Sequence, residues 1–290
     1  MPDALTSLSD ALSALVAGAA PSVVAVRSHR AQSSGFHWRP GLIVTADEAL
    51  AEEGEVSVTP TGSEPLPATV VGRDPGTDVA LLRLVREDLP VAALHHGPPP
   101  PGALAVALGA RDGGPVAALG AVALRGPAWR SMRGGEIDLR VELDLSLRGS
   151  SEGGLALDAA GRAFGMAVLG PRRRALVIPT ATLERTAEAL LRHGRVLRGY
   201  LGLRLQPTRL DGEEAGGVMV MAVDRGGPGA AAGLHQGDII TALDGETVTG
   251  VQALLRRLGP DSVGRGVILG VRRGGATREV ALTVGERPLP

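Results

Sequence analysis

The sequence predicts a mainly β protein in which two successive barrels lead through one helix into a smaller α+β module. Three observations carry that expectation. From Pro21 onward the chain is built of short apolar runs broken every few residues by Gly, Pro or Asp, the pattern of short strands and tight turns. Four consecutive prolines, 98–101, form a stiff extended connector that divides this stretch into two blocks. A single helix-spaced apolar stripe then separates those blocks from a third.

At the N-terminus, residues 1–20 place Leu5, Leu8, Leu12 and Leu15 at helical spacing, which predicts an amphipathic helix docked on the body. No basic residue precedes the apolar run, and Asp3 and Asp10 stand where a secretory leader carries positive charge. The expectation is therefore a cytoplasmic chain, with an extracytoplasmic one as the alternative. No run of eighteen apolar residues occurs elsewhere, so no membrane span is expected.

The first barrel, about 21–94, has candidate strands at 22–26, 41–45, 55–59, 68–71 and 79–84. The second, about 103–178, has them at 104–109, 117–124, 138–143, 153–157 and 163–169. The linking segment 179–196 holds a helix over 180–193, with Leu183, Ala187, Leu190 and Leu191 on one face and Gly194 as its stop. The third block, 197–287, contains further strands and a short helix at 251–258.

Composition narrows the functional classes. A net charge of −1 argues against an electrostatic nucleic-acid binder. Cysteine is absent, which removes disulfides and thiolate metal sites. With two Phe, two Trp and one Tyr, the cores must be aliphatic.

Specific chemistry enters with six segments. Ser34-Gly35-Phe36 is followed by Leu42-Ile43-Val44-Thr45, and then by Gly72-Arg73-Asp74-Pro75-Gly76-Thr77-Asp78-Val79-Ala80-Leu81-Leu82. Gly149-Ser150-Ser151-Glu152-Gly153-Gly154 comes next, then Arg198-Gly199-Tyr200-Leu201-Gly202-Leu203, and last Gly233-Leu234-His235-Gln236-Gly237-Asp238-Ile239-Ile240. In this order the segments resemble the HtrA/Deg-type serine proteases, trypsin-like enzymes with a C-terminal PDZ domain. The resemblance implies a chymotrypsin-like double β-barrel followed by a helix and a PDZ domain. It also implies Asp78 as the catalytic aspartate, 149–154 as the nucleophile loop and a tendency to form homo-oligomers, trimers among them. No cofactor is implied.

Two positions depart from the family pattern. The family places a histidine three residues after the Thr of Ile-Val-Thr, and here that residue is Glu48. Acyl transfer by serine needs a base that takes the hydroxyl proton and returns it to the leaving amine. A carboxylate does this poorly at neutral pH, and it repels Asp78. Loss of a triad histidine costs on the order of a million-fold in turnover, about 8 kcal/mol. The nucleophile admits two registers. Taking Ser151 as the family serine requires one deletion after Asp144 and one insertion before Leu155. Anchoring on Asp144 and Gly161 removes both gaps, and puts Glu152 on the serine position and Ser150 on the oxyanion glycine.

The other histidines, His29, His37, His95, His96, His193 and His235, read as surface or packing residues, since a base must reach its nucleophile. His95-His96 is a poor metal pair because neighbours in an extended segment point apart. If Glu48, Asp78 and Glu152 converge, they must raise a pKa, take a proton or bind a divalent cation. The Arg172-Arg173-Arg174 turn reads as a solvated hairpin tip, with an acidic partner as the sharper reading.

In the PDZ-like block, a peptide is expected to add as a strand, with its carboxylate received at Tyr200, Leu201, Gly202 and Leu203. Gly202 would let the backbone approach the ligand. Val251, Leu254 and Leu255 face the groove from the helix. Three functions are thus open: a pseudoprotease that binds peptides or protein tails, an active endopeptidase using Ser151 with a rearranged base, and a divalent-cation site.

Overall fold

A computed structural model describes residues 3–29, 31–52, 54–209 and 216–287. The chain divides into two compact units, 1–196 and 197–290.

The first unit opens with helix α1 (Ala4–Ala19), none of whose residues is buried. It meets the core only through Leu12, Leu15, Val16 and Ala19, whereas Leu5 is 74% exposed and Leu8 45%. The docking expected from leucine spacing therefore holds for the second half of the helix alone. The segment Ala4–Ser22 is also long and apolar enough to cross a membrane, by length and composition only.

Six strands follow: β1 (Val23–Ser28), β2 (Ala31–Arg39), β3 (Leu42–Thr45), β4 (Val56–Pro60), β5 (Leu66–Asp74) and β6 (Val79–Arg83). They close into an antiparallel barrel in the order β1-β2-β3-β6-β5-β4. A second barrel holds β7 (Leu104–Arg111) and β8 (Gly114–Gly126), then β11 (Arg140–Asp144), β12 (Gly154–Asp158), β13 (Ala163–Leu169) and β14 (Ala175–Pro179). Its order is β11-β14-β13-β12-β7-β8. Between β8 and β11 stands a small hairpin of β9 (Trp129–Arg130) and β10 (Glu136–Ile137).

Many strands are buried on both faces, which explains their nearly continuous apolar runs. In β1, Val24 and Val26 pack inside the first barrel, and Val23 and Ala25 belong to the layer between barrels. That layer joins Phe36, Val44 and Leu81 to Leu108, Leu155 and Met166. Helix α2 (Thr180–His193) covers one side of it with Leu183, Ala187 and Leu190, and ends on Gly194, whose N–H donates to the Leu190 carbonyl at 2.8 Å.

The second unit is an open sheet. Its strands are β15 (Gly199–Tyr200), β16 (Leu203–Thr208), β17 (Gly217–Val223), β18 (Ile239–Leu243), β19 (Glu246–Thr247), β20 (Gly266–Arg273), β21 (Ala276–Thr283) and β22 (Gly285–Glu286). The main path runs β16-β17-β18-β20-β21, so among the described residues one edge of β16 has no strand beside it. Helices α3 (Pro228–Ala231) and α4 (Val251–Arg256) complete the unit, with Leu254 of α4 fully buried among Val218, Ile240 and Leu269.

Candidate functional site

Three loops of the double barrel meet around Asp78. The loop after β3 is clamped by Arg73, whose Nε lies 2.5 Å from Asp47 Oδ1. The same guanidinium donates to the carbonyls of Asp47, Leu50 and Ala51 at 3.0, 3.1 and 2.8 Å. Asp78 ends a turn in which the Asp74 carboxylate accepts the N–H groups of Gly76 and Thr77 at 3.2 and 3.1 Å. Its φ of 58° is a left-handed conformation that aspartate tolerates better than most residues. From there Oδ1 of Asp78 accepts the backbone N–H of Glu48 at 2.8 Å.

Ser34 holds the third loop. Its Oγ donates to the Ser150 carbonyl at 2.7 Å and accepts the N–H of Ala110 at 2.9 Å. Its N–H donates to the Glu152 carbonyl at 2.8 Å, and Thr45 Oγ1 donates to the Ser34 carbonyl at 2.7 Å. Gly153 sits at φ +85°, and a Cβ there would lie 2.3 Å from the Ser34 carbonyl oxygen, so the loop admits no side chain at this point.

The electrostatics follow from these placements. Burial pushes Asp78 up to about 7. The Glu48 N–H opposes that shift, and the charges of Glu48, Glu152 and Asp47 add to it. Burial also raises Glu152, against the N–H of Leu169, which donates to its Oε1 at 3.0 Å. Glu48 raises Glu152 further, and Arg173 lowers it. Of the two nucleophile candidates, Glu152 thus shares the field of Asp78, whereas Ser151 is only 3% exposed.

Glu48 itself is exposed and pairs with Arg133 at 3.2 Å. Arg133 lies on the β9–β10 hairpin, which is pinned beside Asp78 by Ser131 Oγ donating to the Gly76 carbonyl at 2.5 Å. The sequence reading missed Arg133, Arg73 and Ser34. Arg73 and Ser34 both stood inside quoted motifs, but no local signal marked the long-range partners of Ser34 or Arg133.

The cation site expected if Glu48, Asp78 and Glu152 converged does not form. Each carboxylate has its own partner: the Glu48 backbone for Asp78, the Leu169 backbone for Glu152, and Arg133 for Glu48. Among the described residues no group of three or more His, Cys, Asp or Glu side chains could hold a metal ion. No histidine acts on Asp78 either. His37 is buried, with Nδ1 3.0 Å from the Pro90 carbonyl, and His96 pairs with Glu184. In the arginine turn, Arg172 and Arg173 both sit at φ 58°, and Arg174 pairs with Glu142.

In the second unit the turn before β16 is tightly made. The carbonyls of Leu201 and Gly202 accept the N–H groups of Gly229 and Asp224, each at 2.8 Å. Gly202 has φ +70°, and a Cβ there would lie 3.0 Å from the Cα of Gly227. The seven expected groove residues separate by environment. The Tyr200 hydroxyl donates to Asp224 at 2.6 Å, and Leu201 and Leu254 are core residues. Leu203 and Val251 are half-buried, and Leu255 is exposed. Leu205, half-buried on the same face as Leu203, was not anticipated.

Residues 33–166 match the family described as Trypsin-like peptidase domain, and residues 199–284 match the PDZ domain. The "Probable periplasmic serine endoprotease DegP-like" of Brucella suis is 30% identical over 276 residues, covering 89% of this chain and 53% of that protein. The protein of the same name from Rhizobium meliloti is 29% identical over 275 residues, covering 89% and 54%. The chain spans about half the length of these curated relatives. Among solved structures, the serine endoprotease from Yersinia pestis is 26% identical with a TM-score of 0.81, covering 99% of this chain and all of that one. The HtrA-type protease AlgW with decapeptide has the same fold, with a TM-score of 0.81 at 23% identity over 95% of this chain and 98% of that one.

These findings overturn the cytoplasmic expectation, because the relatives are named periplasmic. Acidic residues early in α1 were the argument against a leader, yet the helix is apolar and almost wholly unburied. The fold and both domain matches agree on one assignment: the chain belongs to the HtrA/Deg-type serine protease family.

Proposed function

We propose that this chain is an HtrA-like pseudoprotease that works outside the cytoplasm and binds peptides or exposed protein tails through its PDZ groove. One observation carries the reading. The residue whose backbone N–H is bound to Asp78 is a glutamate, and its side chain is drawn away to Arg133. A serine hydroxyl in this cleft would have no imidazole to take its proton, and general-base catalysis would be lost with it. The relatives' names support the extracytoplasmic location, and the free edge of β16 beside α4 supports strand addition by a peptide.

The rival reading is an active endopeptidase, favoured by the names of the same relatives. Incubation of the full chain with unfolded casein separates the two. The proposal expects no cleavage above background and no difference between the wild type and Ser151→Ala. Cleavage that disappears in Ser151→Ala, or in Glu152→Ala, would sink it.

A further inference from the structure

Both walls of the groove beside β16 are basic and neither carries a carboxylate. β16 reads Leu-Arg-Leu-Gln-Pro-Thr, and α4 reads Val-Gln-Ala-Leu-Leu-Arg. Strand alternation puts Leu203 and Leu205 on the side that packs against the core, and Arg204 on the opposite side, exposed. Across the β16–β17 ladder Arg204 faces Ala222, so no acid meets it there. Other arginines of this unit are matched: Arg257 with Glu246, Arg265 with Asp244, Arg273 with Asp238. Among the described residues neither Arg204 nor Arg256 has an ion-pair partner.

Geometry fixes what Arg204 would meet. The carboxylate-receiving turn precedes the first residue of β16, so a strand that ends at this turn runs antiparallel to β16. Residues directly opposite in an antiparallel pair share a face of the sheet. With the last peptide residue opposite Leu203, the penultimate one stands opposite Arg204 and the third from the end opposite Leu205. Leu203, Leu205 and Val251 then present apolar surface to the last and third-from-last side chains.

We propose that this groove, in taking a C-terminal peptide, selects for an aspartate or glutamate at the penultimate position, opposite Arg204. The selection rests on the peptide-binding reading given above and adds the charge of the ligand. A directly opposed ion pair on a sheet surface changes affinity by up to about fivefold, and a repelling lysine widens the gap to about tenfold. Screening by salt reduces both, because the pair is exposed.

The test uses the full chain and fluorescent decapeptides ending in Leu-Glu-Leu, Leu-Gln-Leu and Leu-Lys-Leu, with anisotropy read at low salt and at high salt. The expected order of affinity is Glu over Gln over Lys, with about tenfold between the extremes and a smaller spread at high salt. In Arg204→Glu, which alters an exposed side chain and should keep the wild-type circular dichroism, the order reverses. Equal affinities for the three peptides, or an order that Arg204→Glu leaves unchanged, overturns the charge selection while the groove stands. Failure of all three to bind overturns the groove reading and the selection with it.

Discussion

The backbone N–H of Glu48 donates to Oδ1 of Asp78 across 2.8 Å, joining the loop after β3 to the turn before β6. The contact is made by the main chain, so it does not depend on which side chain stands at position 48. It explains how the cleft keeps its architecture with a glutamate there. It also leaves Asp78 half-buried, with one donor and three neighbouring acids.

Asp78→Asn should therefore stabilise the chain at high pH. The carboxyl titrates near the usual 3.8 when unfolded and at about 7 in the native state. Between those values the folded chain holds a proton that the unfolded chain has lost, so stability falls as pH rises from about 4 to about 7. Above that window the asparagine variant should exceed the wild type by on the order of 2–4 kcal/mol, and near pH 4 the advantage should vanish. Thermal melts at pH 4.5 and pH 8 measure it, and an equal shift at both would refute it.

Restoring the missing base tests which residue holds the nucleophile position. In the register that puts Glu152 on the serine position, Glu48→His alone should leave casein intact. Glu48→His combined with Glu152→Ser should yield hydrolysis above either single variant by about a hundredfold or more, the range of a positioned general base. Full activity in the single variant would assign the role to Ser151 instead.

Arg73→Ala should release the loop that presents Glu48. The substitution leaves Asp47, almost fully buried, without its main cation and frees three carbonyls. Losing one partner of a buried ion pair costs about 3–5 kcal/mol, reduced here because Arg73 is partly exposed. Denaturant midpoints should fall accordingly, and Arg73→Lys should recover only part of the loss because an ammonium cannot reproduce the fork. A wild-type midpoint for the alanine variant would contradict this.

Gly202→Ala probes the other unit. Its left-handed backbone costs an L-residue about 1–2 kcal/mol, and the new methyl meets Gly227. Decapeptide affinity should drop severalfold, with the double barrel unfolding as in the wild type.

Much of this architecture was legible in the sequence because strands buried on both faces advertise themselves as apolar runs. Expected strands at 79–84 and 163–169 correspond to β6 and β13, and the helix at 180–193 matches α2. β2 had no candidate range of its own: Ala-Gln-Ser-Ser-Gly-Phe-His-Trp-Arg reads as polar, yet Ser33, Ser34 and His37 are buried. Ser34 is satisfied by backbone groups far along the chain, and such partners leave no local pattern. The β9–β10 hairpin, and with it Arg133, was invisible for the same reason. Glu48 and Asp78 were found because motif spacing marked them. The apolar helix α1 misled, because its leucine spacing suggested an element docked along its whole length, whereas only Leu12, Leu15, Val16 and Ala19 meet the core.

The bare edge of β16 has a consequence for self-association. The two barrels close on themselves and offer no strand to a neighbour, whereas an open edge is a template for a second copy of the same chain. Pro207 lacks the N–H that a continuous ladder would require at that point. If two such edges paired antiparallel in the register centred on position 204, their arginines would stand directly opposite each other without an acid between them. The charge that favours an acidic guest thus also discourages the chain from becoming its own guest, which keeps the edge available at high protein concentration.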